Sequence, residues 1–145
     1  LAQIFKEYGE ERLASFIAKS IKEMTAMNTI ADLREAIRRC TPPNNRDRTF
    51  ARIFQALRIA VNEELDILKQ FLTKFIDFLC PGGRIVIISY HSLEDRLVKH
   101  SFKELASGRS LDILTKRPIT AAEQERKNNR RAGRAKLRAA VKVAL

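Results

Sequence analysis

The chain has 145 residues, 45% of them apolar, two cysteines and a net charge of +11 at neutral pH. That length and apolar content support one compact domain or two small lobes. No apolar run reaches the roughly 20 residues needed to span a bilayer, so the expectation is a soluble, cytoplasmic protein with no membrane partner.

The chain starts on Leu1 rather than Met, with no signal-peptide pattern, and the start reads as a cut inside a longer chain. Residues 1–40 carry helical periodicity. Leu13, Phe16, Ile17, Ile21 and Met24 recur at spacings of three and four and paint one stripe, and Gly9 separates that helix from a short one before it. Thr29 with Asp32 forms a capping-box pattern ahead of the stripe Ile30, Leu33 and Ile37, with Arg34, Arg38 and Arg39 off it and solvated. Thr41-Pro42-Pro43-Asn44-Asn45 ends the helical region and marks a lobe boundary at about residue 46.

A long helical pattern covers residues 49–79, as one helix or a kinked or split one, with Phe50, Ile53, Phe54, Leu57, Val61, Leu65, Leu68 and Leu72 on its stripe. Gln55, Arg58 and Asn62 share one flank, where polar groups either line a cleft or cap neighbouring backbone. The turn Cys80-Pro81-Gly82-Gly83 leads into Ile85-Val86-Ile87-Ile88, a β-branched run that predicts a central strand buried on both faces. Gly82-Gly83 has neither Rossmann nor Walker spacing and precedes a strand, so it is a turn rather than a nucleotide loop. Ser92 with Asp95 predicts the cap of the next helix, and Thr120 with Glu123 the start of a short polar one. Residues 111–114 read as a strand. Leu137, Ala139, Val141 and Val143 alternate with Arg138, Ala140 and Lys142, which predicts a half-exposed strand near a sheet edge.

Charge is uneven. Residues 116–145 hold ten Lys or Arg against two Glu, while the first 115 hold eighteen against fifteen. A basic tail on a near-neutral body points to a polyanion, nucleic acid foremost. Cys40 and Cys80 have no histidine at metal-ligand spacing, so they read as reduced thiols, with no metal site. Helix, Gly-Gly turn, strand, polar loop, helix is the rhythm of an α/β sheet, in which ligands sit beyond the carboxyl ends of strands. Ser89, Tyr90 and His91 hold that place. Ser, His and Asp here are too close in sequence to converge as a hydrolase triad.

Taken together, several segments resemble one family, the MraW/RsmH methyltransferases that modify a cytosine N4 in 16S ribosomal RNA. They are Tyr8-Gly9-Glu10-Glu11-Arg12, Arg52 with Phe54-Gln55-Ala56-Leu57-Arg58-Ile59, Val61-Asn62, Pro81-Gly82-Gly83-Arg84, Ile88-Ser89-Tyr90-His91-Ser92-Leu93-Glu94-Asp95-Arg96, Pro118-Ile119-Thr120 and Ala135-Lys136-Leu137-Arg138. The resemblance implies a helical substrate-recognition lobe, residues 1–46, inserted into a class I (Rossmann-like) methyltransferase. Residues 47–145 would be the C-terminal half of the catalytic sheet, closed by an antiparallel pair from 111–115 and 136–143. It places the S-adenosyl-L-methionine motifs upstream of residue 1 and makes 16S ribosomal RNA, or the small ribosomal subunit, the partner.

By the same resemblance Ser89, Tyr90 and His91 border the methyl-acceptor pocket, and Arg52, Arg58 and Asn62 shape a cleft between lobes. Lys6, Tyr8 and Arg12 face substrate, and Arg130, Arg131, Arg134 and Lys136 contact phosphate. The chain departs from the family's Pro-Ala-Thr run at Thr49-Phe50-Ala51, and from its usual tail at Asn129-Arg130-Arg131-Ala132-Gly133-Arg134. The competing reading is a non-enzymatic basic RNA-binding or ribosome-associated module. A DNA-binding regulator fits poorly, because the Gly9 junction is not a helix-turn-helix.

Overall fold

The structure is a computed structural model and describes residues 1–143. The chain forms two compact units that part at Glu64. The first is helical: α1 (Ala2–Glu7), α2 (Ala14–Lys22), α3 (Ile30–Cys40), a 3-10 turn (Pro43–Asn45) and α4 (Arg46–Asn62). Their apolar stripes meet in a core of Phe5, Ile17, Ile37, Phe50, Ile53 and Ala56. By packing, α4 therefore belongs with α1–α3. Phe16 and Ile30, expected on the stripes, face outward. The capping box of α3 is present, with Asp32 N donating to Thr29 Oγ1 at 3.2 Å and Thr29 N to Asp32 Oδ2 at 2.8 Å.

Gly9 sets the approach of α1 to α4. A Cβ there would lie 2.7 Å from the carbonyl oxygen of Phe5 and 2.9 Å from that of Arg52, so the two backbones pass closer than any side chain allows.

The helical pattern over 49–79 is broken. Glu63 takes a left-handed φ of 52°, α4 ends, and α5 (Glu64–Lys74) runs on into a 3-10 turn at Phe75–Phe78. With the stripe of α4 closing on Ile59, Val61 is left outside it and is exposed, contrary to expectation.

The second unit continues with β1 (Arg84–Ser89), α6 (Ser92–Ser107), β2 (Leu111–Ile113), β3 (Ile119–Thr120), α7 (Glu123–Asn128), a 3-10 turn (Arg130–Arg134) and β4 (Lys136–Lys142). All pairing is antiparallel and runs through β4: the order is β1-β4-β2, and β3 also pairs with β4. The expected closing pair is thus present as β2 and β4. Leu72, Phe75, Val98, Phe102, Leu111 and Ala140 form the core between sheet and helices, with Ile85 and Ile87 against it.

Two expectations about the strands are corrected. β1 is not buried on both faces. Ile85 and Ile87 turn toward the core, while Val86 and Ile88 are 57% and 51% exposed, because successive strand residues alternate and the helices cover one face. β4 is not an edge strand, and its buried face is the polar-looking one. Arg138 and Ala140 are buried, whereas Leu137, Ala139 and Val141 are only half covered. The reason is that its cations have partners: Arg138 meets Asp95, and Lys142 Nζ donates to the carbonyls of Ile76 and Leu79 at 2.9 and 2.8 Å. Thr120 lies in β3 and does not cap α7, whose N-cap is Ala122.

Replacing Gly9 by Ala should destabilise the chain by about 1–3 kcal/mol, since both nearest atoms are backbone carbonyls that cannot move aside cheaply. Urea denaturation checks this, and an unchanged midpoint refutes the close approach.

Candidate functional site

β1 delivers Ser89 to its carboxyl end, where the side chain is buried and pairs in register with Lys136. Tyr90 follows with its side chain exposed, and His91, buried, is the N-cap of α6. The cap is shifted by one residue from the expected Ser92–Asp95. Glu94 N donates to His91 Nδ1 at 3.3 Å, and Glu94 Oε2 accepts from the backbone N–H of Tyr90 at 2.8 Å and of His91 at 3.3 Å. The Tyr90–His91 backbone is therefore clamped from two sides. With Nδ1 accepting, a neutral His91 carries its proton on Nε2, which is buried 3.5 Å from Glu94 Oε1.

The shift frees Asp95 for another task. Its carboxylate accepts two hydrogen bonds from Arg138, Nε to Oδ1 at 2.8 Å and Nη2 to Oδ2 at 3.2 Å, and Lys136 Nζ stands 3.4 Å from Oδ2. Burial pushes the Asp95 carboxyl up. The hydrogen bond and charge of Arg138, with those of Lys136, outweigh it and hold the group below its ordinary 3.8. Ser89, His91, Asp95 and Lys136 thus share one end of the β1–β4 ladder. The exposed Arg130, Arg131 and Arg134 sit on the 3-10 turn that leads directly into Lys136, and that turn is capped by Asn129 Oδ1 accepting from Arg131 N at 3.1 Å.

In the helical unit Gln55 Nε2 donates to the carbonyl of Tyr8 at 3.2 Å, so Gln55 caps backbone. Arg58 grips Glu64 with two bonds of 2.8 and 3.1 Å, joined by Asn62 Nδ2 at 3.2 Å. Arg12 and Arg52 line a pocket of about 530 Å³ together with Glu11, Asn45, Arg48 and Thr49. Lys6, exposed on α1, and the half-buried Tyr8 are not among its walls. Sequence reasoning missed Glu11, Asn45, Arg48, Thr49 and the role of Asp95. The only local signal was the Gly9-Glu10-Glu11 junction, where Glu10 takes a left-handed φ of 49°.

The Gly82–Gly83 turn is consumed by the sheet. Gly82 N donates to the carbonyl of Lys142 at 3.0 Å and Lys142 N to that of Gly83 at 2.8 Å, with Gly82 at a φ of 77°. It therefore locks the end of β4 and offers no free backbone cradle to a nucleotide cofactor. No helix among the described residues is long and apolar enough to cross a membrane.

A helical unit followed by an antiparallel sheet with helices on one face, and a polar strand end capped into the next helix, makes this a mixed α/β chain consistent with part of a methyltransferase fold. Residues 1–143 match the family described as the MraW methylase family, and the chain belongs to it. Three relatives called ribosomal RNA small subunit methyltransferase H illustrate the likeness. That of Trichormus variabilis is 52% identical over 99% of this chain and 47% of its own length, and that of Nostoc punctiforme 50% identical over 99% and 48%. The protein of Kosmotoga olearia is 50% identical over 99% of the chain and 49% of its own length. The chain spans about half the length of the curated relatives it matches.

Asp95→Asn removes the charge and leaves Arg138 buried without its counterion, which should cost about 3–5 kcal/mol in urea unfolding. The folded-state pKa of Asp95 is depressed, so the stabilisation from its ionisation is complete above the ordinary carboxylate value and drains as pH falls through the lower folded one. Stability of the parent chain measured from pH 5 down to pH 2 should show this acid loss (roughly the span over which such a carboxylate titrates), and D95N should lack that component.

Proposed function

We propose that this chain is the C-terminal portion of an S-adenosylmethionine-dependent, cytoplasmic enzyme that methylates the N4 amine of a cytosine in small-subunit (16S) ribosomal RNA. The observation that carries the reading is the match of nearly the whole chain to about half of proteins named ribosomal RNA small subunit methyltransferase H, at close to 50% identity. Residues 1–46 are then the inserted recognition domain and 47–145 the second half of the catalytic domain, a boundary distinct from the packing one at Glu64. The methyl-donor site lies upstream of residue 1. The half-uncovered sheet face carrying Val86, Ile88, Leu137 and Val141 supports this, because a sheet with one apolar face open needs a further layer.

The donor supplies an electrophilic methyl group on a cationic sulfur. Attack on it is an in-line displacement, so this chain's residues act mainly by holding the acceptor in place. Ser89, Tyr90 and His91 border the acceptor pocket. The clamp of Glu94 on the Tyr90 and His91 amides holds that border in place, and Tyr90, the exposed member, stacks on the extruded base in this reading. Arg52, Arg58 and Asn62 position the substrate strand, Lys6, Tyr8 and Arg12 face RNA from the recognition domain, and Arg130, Arg131, Arg134 and Lys136 bind phosphate.

Expression of the full reading frame in a strain lacking its own enzyme, followed by mapping of N4-methylcytosine in ribosomal RNA, tests the activity. Loss of the mark on deletion and its return on expression are expected, and an unchanged map refutes the reading in favour of an RNA-binding module. In the same system Arg58→Ala should cut methylation by roughly tenfold to a hundredfold with the protein still folded, as expected for a misplaced substrate. Full turnover removes Arg58 from the site. Titration of the 145-residue chain with S-adenosylmethionine in a calorimeter should give no binding heat, and a micromolar site within these residues overturns the upstream placement.

A further inference from the structure

The pocket in the helical unit has the makings of a ligand site beyond the roles assigned above. Glu11 is only 4% exposed; its Oε1 accepts from Leu13 N at 3.0 Å, while Oε2 reaches no hydrogen-bond donor. The nearest cation to Oε2 is Arg52 Nη1 at 3.6 Å, an ion pair without a hydrogen bond. A buried carboxylate oxygen in that state is uncommon and costs free energy unless a ligand completes it. Thr41, between the lining residues Cys40 and Pro42, also buries a hydroxyl that finds no partner.

The backbone holds Glu11 there against its own preference. Gly9 is wedged against the Phe5 and Arg52 carbonyls and Glu10 is left-handed, a conformation that non-glycine residues adopt at a cost and that recurs at functional sites.

Around Glu11 the walls are cationic. Three arginines, Arg12, Arg48 and Arg52, line the pocket beside a single acid, and Arg12 and Arg48 have no ion-pair partner among the described residues. Leu13 and Pro42 add apolar surface, and burial pushes the Cys40 thiol up, so that it lines the wall uncharged. The last turn of α3, carrying Arg38 and Arg39, runs straight into this wall at Cys40. Paired guanidiniums suit a phosphodiester, an acceptor-only carboxylate suits an amine, imide or hydroxyl, and apolar walls suit the flat of a base.

We propose that this pocket is a ribonucleotide subsite that seats one nucleotide of a single-stranded stretch of the substrate RNA. The phosphate lies on Arg12 and Arg48, and a donor group of the base or ribose bonds to Glu11 Oε2. The proposal rests on the RNA-modifying reading and adds a defined contact to it.

Fluorescence anisotropy of the full-length protein with a labelled single-stranded RNA about ten nucleotides long, over a salt series, tests it. Arg48→Ala, at an exposed position, should weaken binding by about tenfold and lower the salt slope by about one, as expected for one lost phosphate contact. Glu11→Gln, which preserves shape, should leave the salt slope unchanged but alter the relative affinities for oligonucleotides of different base. An R48A protein that is folded by circular dichroism and binds with parental affinity and slope overturns the subsite, whatever Glu11→Gln does. Saturation of the pocket by free cytidine monophosphate as tightly as by RNA also overturns it, in favour of a small-molecule site. If the parent methylates ribosomal RNA while R48A binds normally, the subsite alone fails. If the parent neither binds RNA nor methylates it, the functional reading fails with it.

Discussion

The second unit is organised around one buried charge pair, Asp95 with Arg138. A guanidinium in the middle of the central strand is tolerable only because a carboxylate projects from the first turn of α6 to accept both of its forked hydrogen bonds. The same face of β4 carries Lys136, also on Asp95, and Lys142, which closes the carbonyls at the end of the Phe75–Phe78 turn. Three partnered cations on one face of β4, Lys136, Arg138 and, beyond Ala140, Lys142, fix the strand's register more tightly than apolar side chains would. A slip by one residue turns Arg138 to the opposite face and strands Asp95 without a counterion. Because β4 is the partner of every other strand, its register becomes the register of the whole sheet.

Much of this architecture was legible in the sequence, and what was not has physical causes. Helical periodicity found the core positions Ile17, Ile37 and Ile53, and the Thr29–Asp32 pattern placed the start of α3. The run at 85–88 gave a strand. Its two-sided burial was misjudged because a continuous β-branched run reads the same whether one face or two are covered. The break at Glu63 is marked by neither glycine nor proline, so nothing in the pattern announced it. The buried face of β4 was read inside out because alternation counts Arg138 as a surface residue. Its partner lies 43 positions away, and pairing at that distance leaves no local trace. The cap of α6 moved by one residue because histidine, not an expected capping type, took the position and left Asp95 for Arg138.

The candidate site divides the same way. The polar cluster after β1 was visible from its place at a strand end, and the resemblance to a known family supplied the basic residues. What neither supplied was the grouping of Glu11, Asn45, Arg48 and Thr49 with Arg12 and Arg52, which comes from three separated segments folding onto one wall. Gly9 and Glu10 hold the key to that grouping. One is too small to keep the helices apart and the other is bent the wrong way for its type, so the junction is rigid where a sequence reader expects a loose turn.

The placement of β4 also governs the order in which the protein can be assembled during synthesis. β1, β2 and β3 make their ladder bonds to β4 rather than to one another, yet β4 leaves the ribosome after all three. Until then β1 lacks its partner among the described strands, and the Asp95 carboxylate on α6 lacks the counterion that β4 brings. The ladders to β4 therefore form last, while the helical unit, whose internal contacts lie within residues 1–64, is already free to fold. A ribosome stalled before Lys136 would leave β1, β2 and β3 without the strand that all three pair with, a form exposed to aggregation and in need of a chaperone.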